Sequence, residues 1–252
     1  MNAWDLYTKR ITNSGATQRD RSLKRELYML KDKLPDSLSY HNVVLNEEER
    51  RVAIIDSDNL NEKMIYSLPG EDIDNGSMVS WMDNIWLVTE RDANSEVYTR
   101  AKMVQCNYLL KWVEVDDENK PSVYEQWCIV DDGTKYMSGE YEDRNFIVTR
   151  GETRIAVTIQ RNEHTIKLKR TNRFLVDDID ATDKIAFALT KPLKAGNTYN
   201  NKGVLKFVMS ETNSTDYDNV DLGIADYYKY FPDANHPENS GSKIDDPEEV
   251  WL

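Results

Sequence analysis

Short runs of alternating apolar and polar residues fill most of the chain between residues 37 and 210. Segments rich in Asp, Asn and Gly separate these runs, for example the turn between RRVAIID and EKMIYSL. Because successive side chains of a strand point to opposite faces, such alternation is typical of half-buried β-strands. Many short strands at close spacing indicate an antiparallel β-barrel or β-sandwich. The sequence therefore predicts a mainly β fold.

Three stretches carry most of this prediction. MVSWMDNIWLVT reads as a hairpin with Asp83 and Asn84 in its turn. The alternation is most regular from Val104 to Trp112, which predicts one continuous strand. Further along, RIAVTIQ and TIKLKR predict two strands joined by the turn RNEH, and RFLV, KIAFALT and GVLKFVM predict three more.

The tryptophans of these strands allow two interpretations. They can belong to the β-core, or they can form an exposed platform on which sugars stack. Because they lie on strands beside other apolar residues, the core interpretation is favoured. The four residues concerned are Trp81, Trp86, Trp112 and Trp127.

A helix is predicted before the strands. Leu23, Leu27, Leu30 and Leu34 recur at the spacing of one helix face, and Pro35 ends the pattern. The opposite face is largely charged, so the leucines can cover the core or a neighbouring subunit. Core packing is the favoured interpretation.

The charge distribution divides the chain into three parts. Residues 1–36 form a basic helical segment, residues 37–210 a β-rich core with a candidate subdomain boundary near residue 150, and residues 211–252 an extended acidic C-terminal arm. The two ends are either solvated termini or complementary surfaces that meet between subunits. ADYYKYFP, within the arm, predicts a short helix. The candidate subunit-interface residues are Arg19, Arg21, Lys24, Arg25, Tyr227, Tyr228, Tyr230, Phe231 and Trp251.

Composition argues against several classes of function. The formal net charge of −13 disfavours a broad surface for nucleic acid or anionic membranes, because phosphate binding needs clustered Lys and Arg. No apolar run is long enough to span a membrane. Cys106 and Cys128 are not in a CxxC pair and fall in apolar strand patterns, which predicts two buried, unbonded thiols.

Chemical motifs are also missing from the sequence. There is no GxSxG nucleophile motif and no glycine-rich phosphate loop. DSDNLN, from Asp56, starts like a calcium loop but has Leu60 at the third ligand position. We therefore predict a protein that is not an enzyme, with no catalytic residue, cofactor or bound metal.

One long run supports a family resemblance. AKMVQCNYLLKWVEVDDENKPSVYEQWCIVDDGTKYMSGEY resembles virion proteins of tailed phages and prophages of Gram-positive bacteria. The hairpin segment GSMVSWMDNIWLVTERD and the later LKRTNRFLVDD also fit that family, and the resemblance spans about residues 40–210. Its matching positions are Lys102, Cys106, Asn107, Leu110, Lys111, Trp112, Cys128 and Lys135 to Gly139.

The resemblance implies a structural role at the head–tail connector, as an adaptor or head-closure protein between portal and tail. It implies a ring of identical copies in the virion, assembled in the host cytoplasm. Its partners would be portal, adaptor or tail-terminator proteins, with double-stranded DNA passing through without specific binding. A carbohydrate- or receptor-binding β-module of a tail tip or baseplate is the alternative.

Overall fold

The structure is a computed structural model of the 252-residue chain. It describes residues 2, 4, 7, 15, 17–92, 97–116, 118–132, 154–177, 184–194, 198–199, 201–232 and 234. The predicted mainly β fold is confirmed, as two barrel-like antiparallel sheets preceded by one N-terminal helix.

Helix α1 and a closed six-stranded barrel form the first half. Strands run in the order β1-β2-β3-β6-β5-β4, and β4 closes the barrel on β1 through Val44 opposite Ser80. Apolar side chains from every strand fill the interior, including the buried Trp86. The bounds are α1 Gln18–Lys33, a 3₁₀ turn Leu34–Asp36, β1 Tyr40–Leu45, β2 Glu48–Asp56, β3 Glu62–Tyr66, β4 Met78–Trp81, β5 Asn84–Asp92 and β6 Arg100–Gln105.

The β4–β5 hairpin is confirmed, with its turn one residue earlier than predicted. Met82 and Asp83 occupy the two loop positions with φ of 49° and 60°, whereas Asn84 already belongs to β5. Two positive φ values in a two-residue loop define the turn that matches the twist of a hairpin. The hairpin therefore places Trp86 in the barrel core and packs the half-buried Trp81 against it.

A seven-stranded open sheet forms the second half. Its order is β10-β11-β13-β9-β8-β7, with β12 paired to β13. The sheet curls until its two edges approach, where the Tyr108 hydroxyl donates to the Leu175 carbonyl at 3.1 Å. The bounds are β7 Tyr108–Val115, β8 Pro121–Asp132, β9 Arg154–Gln160, a 3₁₀ turn Thr165–Lys167, β10 Arg173–Leu175, β11 Ala186–Leu193, β12 Thr198–Tyr199, β13 Lys202–Thr212 and α2 Tyr227–Tyr230.

Two predicted strands are corrected by the structure. The run from Val104 to Trp112 is not continuous, because β6 ends in the barrel at Gln105 and β7 starts in the open sheet at Tyr108. The alternation survives the break since both strands bury one face. The segment TIKLKR contains a 3₁₀ turn at Thr165–Lys167 in place of a strand. The candidate boundary near residue 150 lies outside the described residues.

The barrel and the open sheet pack directly on each other. Leu87, Cys106, Ile129 and Val204 form a small buried cluster between them. Gly76 (φ +83°) lies so close to the second sheet that an added Cβ would stand 2.0 Å from the Gly203 carbonyl oxygen. Only glycine fits there.

Candidate interaction surfaces

Helix α1 is well specified by local sequence. The Thr17 hydroxyl accepts from the Asp20 backbone N–H at 3.1 Å, and the Asp20 carboxylate accepts from the Thr17 backbone N–H at 3.1 Å. This reciprocal pair is a capping box, and it satisfies two backbone donors at the helix start. These hydrogen bonds hold the pKa of Asp20 below its ordinary value. Pro35 lies in the 3₁₀ turn that follows the helix.

The leucine stripe of α1 does not pack on the core. No residue of the helix is buried, and the helix packs mainly on the turn that follows it. The leucines of the stripe are half-buried, whereas Tyr28, which lies off the stripe, is 65% exposed. The expectation of core packing is therefore wrong for this chain. A 16-residue helix is marginal in water without tertiary packing, so α1 has the character of an element that needs a partner.

The charge of α1 contrasts with that of the rest of the chain. The helix has six basic and three acidic residues, whereas the whole chain has a net charge of −13. Arg19, Arg21, Lys24 and Arg25, four of the predicted interface residues, are exposed on it. Arg21 also donates from Nε to the Gly15 carbonyl at 3.1 Å. The helix thus presents a half-buried apolar stripe flanked by positive charge.

The first part of the predicted acidic arm is not extended. Up to Pro232 it folds back on the open sheet, and Arg173 of β10 holds it there. The Arg173 guanidinium donates to both carboxylate oxygens of Asp218 at 2.8 Å and to Asp226 at 3.0 Å. Asp218 has only 2% of its side chain exposed. Burial alone would raise the pKa of Asp218. Hydrogen bonds from Arg173 and from backbone N–H groups lower it by more than burial raises it, so the pKa lies below its ordinary value.

The predicted short helix α2 belongs to this docked segment. Tyr227 stacks on Phe231 at 4.8 Å between ring centroids, and the Tyr228 hydroxyl accepts from Asn219 at 3.1 Å. The helix packs on β7, and Tyr230 is half-buried with the others. These four interface candidates thus make most of their contacts within their own chain. They do not belong to the same surface segment as the basic residues of α1. Trp251 and the matching segment Lys135 to Gly139 lie outside the described residues.

A second partly exposed apolar surface was missed by the sequence analysis. Val44, Met78, Ile85 and Trp127 line a groove of about 500 Å³ where the barrel meets β8. We call it the junction groove. Trp127 is 37% exposed, so its predicted core position is wrong, whereas Trp86 and Trp112 are buried as predicted. The signal was the alternation in β8, since Cys128 faces the core and adjacent residues of a strand face opposite ways.

Another compact polar cluster lies beside the β7–β8 hairpin. His164 Nδ1 lies 2.9 Å from Glu114 Oε2, Lys167 contacts the same carboxylate, and Tyr124 stacks on the His164 ring at 3.9 Å. Burial raises the pKa of Glu114, but the hydrogen bonds from Lys167 and His164 more than offset it, and the pKa lies below its ordinary value. The cluster ties the β7–β8 hairpin to the turn after β9.

The cysteines are free and buried, as predicted. Burial raises the pKa of Cys106 to about 12 and that of Cys128 above its ordinary value. Within the described ranges, no group of three or more His, Cys, Asp or Glu side chains is placed to hold a metal ion. No helix in the described part of the chain is long and apolar enough to cross a membrane.

One family model matches the chain. Residues 10–105 match the YomX N-terminal domain, a phage-derived family of Bacillus SPBeta-like prophages. The match covers α1 and the barrel and ends where β6 ends, so the open sheet lies beyond it. No curated protein and no solved structure shows significant similarity to the chain. The comparison associates this protein with phages without specifying its place in a particle.

Proposed function

We propose that this protein is a structural component of a tailed-phage particle that acts in the head–tail connector. Copies of the chain form an adaptor or head-closure ring between portal and tail, and the ring is not an enzyme. The observation that carries the proposal is helix α1, whose leucine stripe is only half-buried and belongs to neither core cluster of the described residues. The phage-derived family of residues 10–105 supports a role in the virion.

The chemistry of the chain suits such a ring. Ring closure requires two different surfaces on each copy that fit each other head to tail. The net charge of −13 would let double-stranded DNA pass without adhering, because acidic walls repel phosphates. Two packed β-bodies provide a stiff wall, while α1 provides a projecting element for contact with a neighbour.

Two measurements test the proposal. Native mass spectrometry of the purified chain should show a concentration-dependent, closed oligomer, and antibody labelling of purified particles from the phage or prophage that encodes the chain should mark the neck. A Leu27→Glu variant should assemble poorly, while the matched Tyr28→Glu variant should assemble normally, since Tyr28 lies off the stripe. A chain that stays monomeric at all concentrations and is absent from particles would refute the proposal.

A receptor-binding module in a tail tip or baseplate is the second proposal. It is favoured by an open groove of about 650 Å³ on the barrel, lined by Trp81, Met82, Arg50, Glu49 and other residues. An aromatic ring beside charged and amide side chains is a common arrangement for sugar binding. Calorimetric titration with host cell-wall glycans, lost on Trp81→Ala at unchanged melting temperature, would favour this proposal over the connector.

A further inference from the structure

Two apolar surfaces of the described chain are incompletely covered, and they differ in shape. One is a convex stripe, formed by Leu23, Leu27 and Leu30 of α1 and by Leu34 of the turn that follows, and all four leucines are half-buried. The other is the concave junction groove between the barrel and β8. We propose that α1 of one copy docks into the junction groove of the next copy, head to tail. This inference rests on the proposed self-assembly and names its two contacting surfaces.

The dimensions of the two surfaces agree. The stripe spans eleven residues of helix, which is roughly 17 Å at 1.5 Å per residue. Val123, exposed on the same face of β8 as Trp127, extends the groove along the strand. The four-residue step along β8 from Trp127 to Val123 adds about 13 Å to the length of the groove. An amphipathic helix laid in an apolar groove is a recurrent mode of protein recognition.

Charge distinguishes the groove from other partners for the helix. Glu47 lines the groove, Glu49 is exposed opposite Val44, and Glu125 lies between Val123 and Trp127 on the outer face. These carboxylates face the basic flanks of an incoming α1, although Lys111, opposite Glu125, offsets part of this attraction. Pairing of α1 with another α1 would instead bring two basic helices together. The groove is therefore the better partner.

The connectivity favours a neighbouring copy over the same chain. Helix α1 joins β1 at Tyr40, whereas the groove begins near Val44 at the other end of that strand. Backbone hydrogen bonds from Ser37 to Leu34 and from Tyr40 to Ser37 fix the turn between them. Among the described elements, α1 packs mainly on this turn and not on the strands that line the groove, so each copy offers one helix and one groove. Two unlike surfaces of this kind build a ring or a filament.

A mixing experiment tests the docking. Leu27→Glu removes the stripe and Trp127→Glu removes the groove, so each variant alone should be monomeric. An equimolar mixture should form a one-to-one dimer and nothing larger, because one intact helix and one intact groove remain. Leu60→Glu, at a loop residue that is 88% exposed, serves as the control on the body and should assemble like the wild type. Val123→Glu replaces Trp127→Glu if the latter lowers the melting temperature.

The outcomes separate this inference from the proposed function. If the wild type assembles but the two variants do not pair, the docking is wrong and the connector proposal stands. If Trp127→Glu and Val123→Glu both assemble normally while Leu27→Glu does not, α1 binds elsewhere, for example to another α1, and the docking is again wrong. A wild type that is monomeric and absent from particles refutes both proposals.

Discussion

The N-terminal helix and the acidic segment between Asn213 and Pro232 flank the β-body, and the sequence predicts that the helix packs on the core and that the acidic arm is extended. Both are charged flanks of a β-body, and both contain candidate interface residues. In the structure the acidic segment is docked on its own sheet, while the basic helix has no fully buried residue and joins no core cluster of the described chain. Net charge therefore does not determine whether a flanking segment packs on the β-body. A specific binding residue on the β-body does.

For the acidic segment that partner is Arg173. Besides its bonds to Asp218 and Asp226, it donates to the Asn213 carbonyl at 2.7 Å and to the Thr215 hydroxyl at 3.0 Å. A planar guanidinium with five donors is suited to bind several oxygens at once. The two parallel hydrogen bonds from the guanidinium to the Asp218 carboxylate also fix the direction of the Arg173 side chain.

The largest expected effect comes from breaking the Arg173 network. Arg173→Met leaves the buried Asp218 carboxylate unpaired, which should cost about 3–5 kcal/mol of unfolding free energy. Hydrogen exchange should rise across the segment up to Pro232 and stay unchanged in α1. Arg51→Met, at an exposed position of the barrel, is the matched control. Denaturant unfolding measures the cost, and a loss below about 1 kcal/mol would show that the segment is held by its apolar contacts instead.

Much of the fold could be predicted from alternation alone. The β4–β5 and β7–β8 hairpins, β9 and β13 all fall where the period of two placed them. The break at Cys106 could not be predicted, because the same alternation continues from one sheet into the next. The 3₁₀ turn at Thr165–Lys167 was missed for a related reason. It closes locally, with the Thr165 hydroxyl donating to the Gln160 carbonyl at 2.8 Å.

Less of the candidate site could be predicted. The basic residues of α1 were identified, since an amphipathic helix is visible in its spacing. The docking of α2 depends on Arg173, which lies more than forty residues earlier in the sequence and gives no local signal. Trp127 was assigned to the core because it lies on a strand beside other apolar residues. Its direction follows only once Cys128 is known to face inward.

A second, smaller effect concerns acid. Because the folded pKa of Asp218 lies below the unfolded value of about 4, its carboxylate stabilises the fold fully above that pH. The stabilisation is lost as the pH falls through the folded pKa. Asp218→Asn should therefore cost about 1.5–3 kcal/mol at pH 7 and progressively less below pH 4 or so. Denaturant titrations of both chains between pH 7 and 3 measure the difference. A difference that is independent of pH would mean that Asp218 is not ionised in the folded chain.

The smallest effect tests the other flank. Thr17→Ala removes the N-cap hydroxyl and should cost about 1 kcal/mol of helix stability. Because the main contact of α1 with the described elements is with the following turn, the melting temperature of the β-body should not change. If α1 docks on a neighbouring copy, the same loss of about 1 kcal/mol should weaken self-association about five-fold, since 1.4 kcal/mol corresponds to a factor of ten.

Ser22→Ala, in the middle of the exposed helix, is the control and should strengthen the helix slightly. Sedimentation equilibrium gives the association constants, and hydrogen exchange over residues 17–33 gives the helix stability. A drop in the melting temperature of the body on Thr17→Ala would show that the helix is part of the monomer fold, and the contrast between the two flanks would then disappear.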